Sequence, residues 1–427
     1  NFPELIVELV NEGKLSEERV NYACSKILEA KFKLGLFENR YVDEDKISEK
    51  IFNQSHTETA LKLAREGIVL LKNNDVLPLQ KPQNTKNKIL VTGPNANNQS
   101  ILGDWHKPQP DENVHTIYEG IKKIGTEIGY IVDYHDSNQN IKKISSNDIN
   151  KTIEIANQYD IVFVVVGDNS MRYKWSEKTA GENTARAELN LAGKQLDLVK
   201  RLKETGKNVI VIYANGRPIS EPWISENINA IIEVWEPGSF GGLAAAEIIF
   251  GKVNPSGKLP LTIANSVGQL KMFYNHKHSM YYRNYAMNTN KPLYSFGFGL
   301  SYTKFEISEP KLNSSKFKKG ILSVSVDVKN IGDIAGDEIV QLYISDKYSS
   351  ITRPVKELKA FKRVSLKSGE SKEITFELDK SAFAFYDSEM NYIVEAGEFN
   401  ILIGNSSRDE DLKSTSFSIE ETIYLKD

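Results

Sequence analysis

The sequence carries a single cysteine, Cys24, in 427 residues, which rules out an intrachain disulfide and any cysteine-based zinc site. It leaves the redox compartment open. Long apolar runs are missing too. A stretch such as Ile161 to Val166 falls far short of the roughly 20 residues that a membrane-spanning helix needs, so no transmembrane helix is expected. Charge of one sign is also scarce: the net charge is -3, with Lys and Arg spread along the chain, which argues against a nucleic-acid partner that would want a basic face. No Gly-x-Gly-x-x-Gly follows a predicted strand and no Gly-x-Ser-x-Gly elbow occurs, which removes dinucleotide and serine-nucleophile readings. Gly251 to Leu259 imitates a phosphate loop, but it has one residue too many and lacks a Ser or Thr after Lys258. It reads as a turn leading into a strand. His276 and His278 have no carboxylate or third histidine at helical spacing, so two surface histidines are expected, with no metal and no cofactor.

What is present is the balance of a folded protein, 40% hydrophobic and 26% charged, at a length that suggests two or three domains. The chain opens on Asn1 and not Met. Its start is expected to be a cleavage or cloning boundary, so the lack of a visible signal peptide carries little weight. Ser16 is placed to cap a helix whose apolar stripe is Val20, Ala23, Cys24, Ile27 and Leu28, with Gly35 as its stop. Such a stripe needs a partner, because a lone helix of this length is not stable.

From about Ile51 to Phe298, helical and strand signals alternate. Helices are expected over Thr59–Lys72, Ile117–Ile124, Gln195–Lys203 and Gly242–Phe250. Continuous apolar strands are expected over Lys88–Thr92, Ile161–Val166, Asn208–Tyr213 and Ala230–Trp235. This predicts an α/β sandwich domain, a mostly parallel sheet with helices on both faces. Beyond about Ser301, strict alternation in Leu322–Val328 and Ile374–Leu378, with further short strands and Gly, Asn and Asp turns, predicts an all-β sandwich without helices.

In a mostly parallel sheet, ligands sit outside the carboxyl ends of the strands. The loop after Val166 is the richest candidate. Gly167 to Arg186 holds three acids, four bases and two aromatics, and loops of this length are usually functional or disordered. Glu182 and Glu177 are its candidate general acids, against the plain alternative of a solvated surface loop. Trp105 and His106, after the first parallel strand, are placed either to line a pocket or to pack. Asp168 is placed to cap the loop backbone.

Several motifs then line up in one order. They are Ser25–Phe37, Ala64–Asn73 closing at Leu77-Pro78-Leu79, Gly-x-x-Asn-Pro-Ser-Gly-Lys-Leu-Pro at Gly251–Pro260, and Pro292-Leu293-Tyr294-Ser295-Phe296-Gly297-Phe298-Gly299-Leu300-Ser301-Tyr302-Thr303. Gly336–Tyr343 and Lys356–Phe361 follow. Together these resemble family 3 glycoside hydrolases of the β-glucosidase type over essentially the whole chain. The resemblance implies residues 1–50 as the last helix of an N-terminal barrel and its linker, 51–300 as an α/β sandwich domain, and 301–427 as a fibronectin III-like β-sandwich. It also implies a retaining, exo-acting β-glycosidase whose nucleophile Asp lies on a barrel upstream of Asn1. Gly181-Glu182-Asn183-Thr184-Ala185-Arg186 resembles the segment carrying the family's acid/base, which places that role on Glu182 with Glu177 in reserve. Arg186, Trp175 and Trp105 become candidate substrate contacts.

The expected partners are a β-linked oligosaccharide or an aryl or alkyl glycoside and the chain's own barrel, with no nucleic acid and no membrane span. The compartment is open, periplasmic or secreted by family analogy. A non-catalytic carbohydrate-binding or structural module, or a degenerate member of the family, is the alternative function.

Overall fold

The computed structural model describes residues 1–82, 87–278, 285–286, 288–317 and 320–425. The chain divides into two compact units, Asn1–Glu58 and Thr59–Asp427. In the first, α1 (Phe2–Asn11) precedes α2 (Glu17–Lys33) and a short α3 (Ile47–Lys50). Ser16 caps α2 as expected: its hydroxyl accepts from the Arg19 N–H at 3.2 Å, and Gly35 just past the end takes φ +65°. Neither α1 nor α2 buries a residue, and Ile27, Leu28 and Phe32 stay exposed. Helix α1 carried no expectation.

Helix α4 (Gln54–Gly67) leads into a six-stranded sheet made of β1 (Val69–Asn73), β2 (Lys88–Thr92), β3 (Ile131–Tyr134), β4 (Ile161–Gly167), β5 (Asn208–Ala214) and β6 (Ala230–Glu233). Its order is β1-β6-β5-β4-β2-β3, with only β1 antiparallel. The helix expected over Thr59–Lys72 therefore stops at Gly67. Ile68 and Leu70 enter one core while Val69 and Leu71 enter the other, and only an extended run can send successive side chains to opposite faces. Strand β3 escaped notice because Val132 is its one buried residue. The strand expected straight after the Gly251–Leu259 turn does not form a regular ladder; Ile263 makes an isolated bridge to Tyr294.

Helices cover both faces of the sheet. On one side α5 (Ile117–Glu127) and α9 (Gly241–Ile249) pack Ile117, Ile121, Ala245 and Ile248 onto Ile89, Val91, Phe163 and Val165. On the other, α6 (Ser146–Ala156), α7 (Gln195–Glu204) and α8 (Pro222–Asn227) pack Ile149, Leu198, Leu202 and Ile224 onto Leu90, Val162, Val164 and Val211. Helices α5 and α9 approach through glycine. A Cβ on Gly120 would lie 2.0 Å from the Gly242 carbonyl oxygen, and one on Gly242 would lie 1.9 Å from that of Thr116.

The following β-sandwich pairs Leu322–Asn330 with Ser371–Leu378 in one sheet, and Glu357–Leu366, Gly336–Asp346, Gly397–Gly404 and Leu412–Ile419 in the other. Leu322, Val324, Val326 and Val328 alternate inward as predicted. The Asn254-Pro255-Ser256-Gly257-Lys258 turn ties the two domains together. Lys258 Nζ meets Glu338 at 2.8 Å, Asn254 Nδ2 donates to the Ala335 carbonyl at 3.0 Å, and the Ser256 hydroxyl accepts from Arg363 at 2.8 Å. Glu338 is buried and also accepts from Asn405 at 2.9 Å.

Glu338→Ala leaves the Lys258 ammonium without its carboxylate in a largely buried site, at a cost of about 3 kcal/mol. Urea unfolding measures it, and a loss no larger than that of a surface pair would contradict a shared core at the junction. Glu233, fully buried at the end of β6, accepts from the Trp235 N–H at 2.9 Å and from Asn215 at 3.3 Å. Burial pushes its carboxyl up to about 8 from an ordinary 4.5, against the pull of those two donors. The unfolded chain releases this proton near the ordinary value while the folded chain keeps it, so stability falls as pH rises through that window. Glu233→Gln should gain on wild type by on the order of 1 kcal/mol per pH unit between about pH 5 and 8. Parallel pH curves for the two proteins would count against a buried proton.

Candidate functional site

Strand β2 pairs with β3 on one side and with β4 on the other, and the connections after β2 and β4 diverge, through α5 on one face and α7 on the other, which places a crevice at the carboxyl ends of β2 and β4. Gly93-Pro94-Asn95 and Gly167-Asp168-Asn169 are its two lips. Asn95 Nδ2 bridges them, donating to the carbonyls of Asp168 and Ala214 at 3.0 Å each. The long loop after β4 is pinched at its neck. The Asn169 N–H donates to Thr179 Oγ1 at 2.9 Å, and the Thr179 N–H returns to the Asn169 carbonyl at 2.8 Å. Asp168, expected to cap the loop backbone, instead turns its buried carboxylate to side chains: it meets Arg217 at 2.8 Å and accepts from the Thr179 hydroxyl at 3.0 Å.

Beyond the neck, Arg172–Glu177 coils into 3-10 turns, and the chain then passes through Lys178, whose side chain is 1% exposed. A lysine so deep must find partners for its charge. It donates to Asp104 Oδ1 at 2.9 Å and to the Glu182 carbonyl at 3.1 Å, and it lies 4.8 Å from the centre of the Trp175 ring. Asp104 also accepts from the Glu182 N–H at 2.5 Å. Gly181 allows this approach: it takes φ +97°, and a Cβ there would lie 2.6 Å from Asp104 Oδ2. Burial alone would push the Asp104 carboxyl up. The Glu182 N–H, the Lys178 ammonium and the Arg172 charge more than reverse that, holding it below the usual carboxylate range.

The Glu182 side chain remains 43% exposed and pairs with Arg172. The Arg172 guanidinium sits 3.9 Å above the Trp105 ring and 5.9 Å from that of Trp175, and both rings are exposed. Thus Glu182, Trp105 and Trp175, each singled out from sequence, do come together, with Arg172 between the rings. Arg186 faces elsewhere, donating to the carbonyl and side-chain oxygens of Asn190 at 3.1 and 3.2 Å. Glu177 is half-buried at the end of the 3-10 turns. His106 holds the Gly103 carbonyl at 2.6 Å and stands edge-on to Tyr173. Burial lowers its pKa, though Gly103 and Asp104 pull the other way.

Sequence reasoning did not single out Asp104, Lys178, Arg172 or Glu236. The Glu236 carboxylate accepts from the Ser170 hydroxyl at 2.7 Å at the root of the loop, and burial raises its pKa, helped by Asp104 and Asp168. The arrangement presents one accessible carboxylate on a fixed backbone, beside two rings that can stack on a sugar face. Such a group can deliver or accept a proton at an oxygen brought up to it.

The sequence matches the Glycosyl hydrolase family 3 C-terminal domain over residues 68–302 and a Fibronectin type III-like domain over residues 338–407. It is 37% identical to a beta-xylosidase of Formosa agariphila over 94% of this chain and 55% of that protein, and 34% identical to the periplasmic beta-glucosidase of Salmonella typhimurium over 93% and 55%. Among solved structures, a β-glucosidase from Erythrobacter marinus superposes with TM-score 0.87 at 34% identity, covering 97% of this chain and 57% of that one. A mutant beta-glucosidase from Listeria innocua in complex with laminaribiose gives TM-score 0.86 at 31% identity, covering 97% and 56%. The chain spans about half the length of the curated relatives it matches. With its α/β domain and its β-sandwich both matched, the chain belongs to glycosyl hydrolase family 3.

Proposed function

We propose that this chain is the C-terminal part of a retaining, exo-acting β-glycosidase in which Glu182 is the general acid/base and an N-terminal barrel supplies the nucleophile Asp. Residues 1–50 are then the last barrel helix and linker, 51–300 the domain carrying the acid/base loop, and 301–427 the fibronectin III-like module. One observation carries the reading: Glu182 stands at the sheet's switch point with its backbone tied to Asp104 and Lys178 and its carboxylate accessible. The relatives' names support the reaction class, and β-glucosides and β-xylosides are the substrates to try. The exposed apolar residues of α2 support a partner for that helix.

Retaining hydrolysis uses two carboxyl groups about 5–5.5 Å apart. The barrel's Asp attacks the anomeric carbon while Glu182 hands its proton to the departing glycosidic oxygen, so the C–O bond breaks as a glycosyl ester forms. Glu182, now a carboxylate, takes a proton from water, and the resulting oxygen nucleophile cleaves the ester. To reach the leaving oxygen, the Glu182 side chain must part from Arg172. Trp105 and Trp175 are placed to stack on the leaving sugar or aryl group. Glu177 is the reserve acid.

The test uses the enzyme carrying its barrel, with aryl β-glucosides and β-xylosides of good and poor leaving groups. Glu182→Gln should lose on the order of 10²–10⁴-fold on poor leaving groups and much less on activated ones. Equal losses on both would sink the role of Glu182. A wild type that binds sugars but hydrolyses none of these would favour a non-catalytic module.

A further inference from the structure

Glu182 is fixed through its main chain, while its carboxylate pairs with Arg172 at the rim. Its N–H donates to Asp104 Oδ2 at 2.5 Å, its carbonyl accepts from Lys178 Nζ at 3.1 Å, and Lys178 Nζ meets Asp104 Oδ1 at 2.9 Å. The three contacts close a ring. Its Lys178–Asp104 side is largely shielded from water, with Lys178 1% and the Asp104 side chain 13% exposed, while Gly181 and Glu182 lie at the surface. With three N–H donors and no acceptor, the ammonium directs two toward oxygens and faces Trp175 with the remainder. Asp104 comes from the loop after β2 and Lys178 from the loop after β4, so the ring also joins the two lips of the crevice. Among the described residues, the contact to the Glu182 carboxylate comes from Arg172, at the accessible rim.

We propose that the buried Asp104–Lys178 pair positions the general acid, holding the Glu182 peptide rigid so that its carboxyl can exchange Arg172 for the leaving oxygen without moving the loop. This rests on the acid/base reading of Glu182. Asp104 and Lys178 touch no reacting atom in this scheme. They act through the Glu182 backbone, and both are positioning residues. A loop staple of purely structural role would weaken every substrate alike. A positioning pair affects only the step in which a proton must arrive at an oxygen of poor leaving ability.

The experiment compares Lys178→Met, Asp104→Asn and Glu182→Gln in the enzyme carrying its barrel, on substrates with good and poor leaving groups. It also follows hydrogen exchange at the Glu182 amide in the 427-residue chain. For the first two variants, kcat on poor leaving groups should fall about a hundredfold, the usual penalty for displacing a catalytic group by an ångström. Activated substrates should lose much less, KM should change little, and the Glu182 amide should exchange faster. Gly181→Ala, which presses a Cβ on Asp104 without removing a charge, should show the same pattern more weakly and covers the case in which a charge variant does not fold. Equal losses on both substrate classes, or none, while Glu182→Gln keeps its selective defect, would overturn the positioning role alone. If Glu182→Gln itself lacks a selective defect, the acid/base reading has failed. Faster amide exchange in the variants would then leave the pair as a loop anchor, which also overturns positioning.

Discussion

Strand β4 has no face turned to water. Val162, Val164 and Val166 point into one core, Phe163 and Val165 into the other, and both flanking strands run parallel to it. Burying five such side chains contributes several kcal/mol, and it commits the backbone so fully that every polar function is expelled to the strand's carboxyl end. There Gly167, Asp168 and Asn169 inherit hydrogen-bonding groups that the ladder no longer satisfies. Asn95, Gln195 and Thr179 supply the partners: Gln195 takes the Gly167 N–H at 2.9 Å and returns an N–H to its carbonyl at 2.9 Å. The loop that carries Glu182 thus starts from a root whose polar groups are paired, which the acid/base role proposed for Glu182 requires of a long loop.

The Asn254–Lys258 turn, recognisable as a signature in the sequence, takes no part in the site. It is a joint. A Cβ on Gly257 would lie 2.2 Å from the Ile68 carbonyl oxygen, the Asn254 oxygen accepts from the Ser301 hydroxyl and the Tyr302 N–H at 2.8 Å each, and Lys258 reaches into the β-sandwich. Gln341, from that sandwich, donates back to the Gly297 carbonyl at 3.0 Å. Polar contacts this well matched give little net stability but penalise any other arrangement of the two domains. A motif can therefore be diagnostic of a family while saying nothing of its chemistry.

What was legible followed from periodicity and local chemistry. The apolar strands β2, β4 and β5 and the alternating strand Leu322–Asn330 each show a pattern that one geometry satisfies. The Ser16 cap and the Gly35 stop are signals within a few residues. Val69–Asn73 was misread because a short apolar run after a helix looks like its continuation, and only burial on two faces distinguishes them. Within the site, Glu182 came from a local motif and Trp105 and Trp175 from their loops. Arg186 was expected at the substrate because its segment resembles one with a Glu four residues before an Arg; side chains in an irregular loop follow no period, and here it donates to Asn190. The Asp104–Lys178 pair spans 74 positions, and nothing along the chain marks which of many acids meets which base.

The carboxyl edge of the sheet gathers Asp104, Asp168, Glu233 and Glu236 against Lys178 and Arg217, an excess of acids in a poorly solvated place. A nearby carboxylate raises another's affinity for protons, and Glu233 and Glu236 both feel Asp168 in this way. Asp104 stays ionised because it has a buried ammonium and a backbone N–H. Glu233 and Glu236 form no ion pair among the described residues, and burial pushes both up. Had Glu182 been anchored through its own carboxylate, it would have joined this group as either a permanent anion or a permanently buried acid, and neither can both give and take a proton. In the proposed role, anchoring the peptide and leaving the side chain at the rim, where Arg172 is its exchangeable partner, separates position from protonation, which is the condition a residue must meet to act as acid in one step and base in the next.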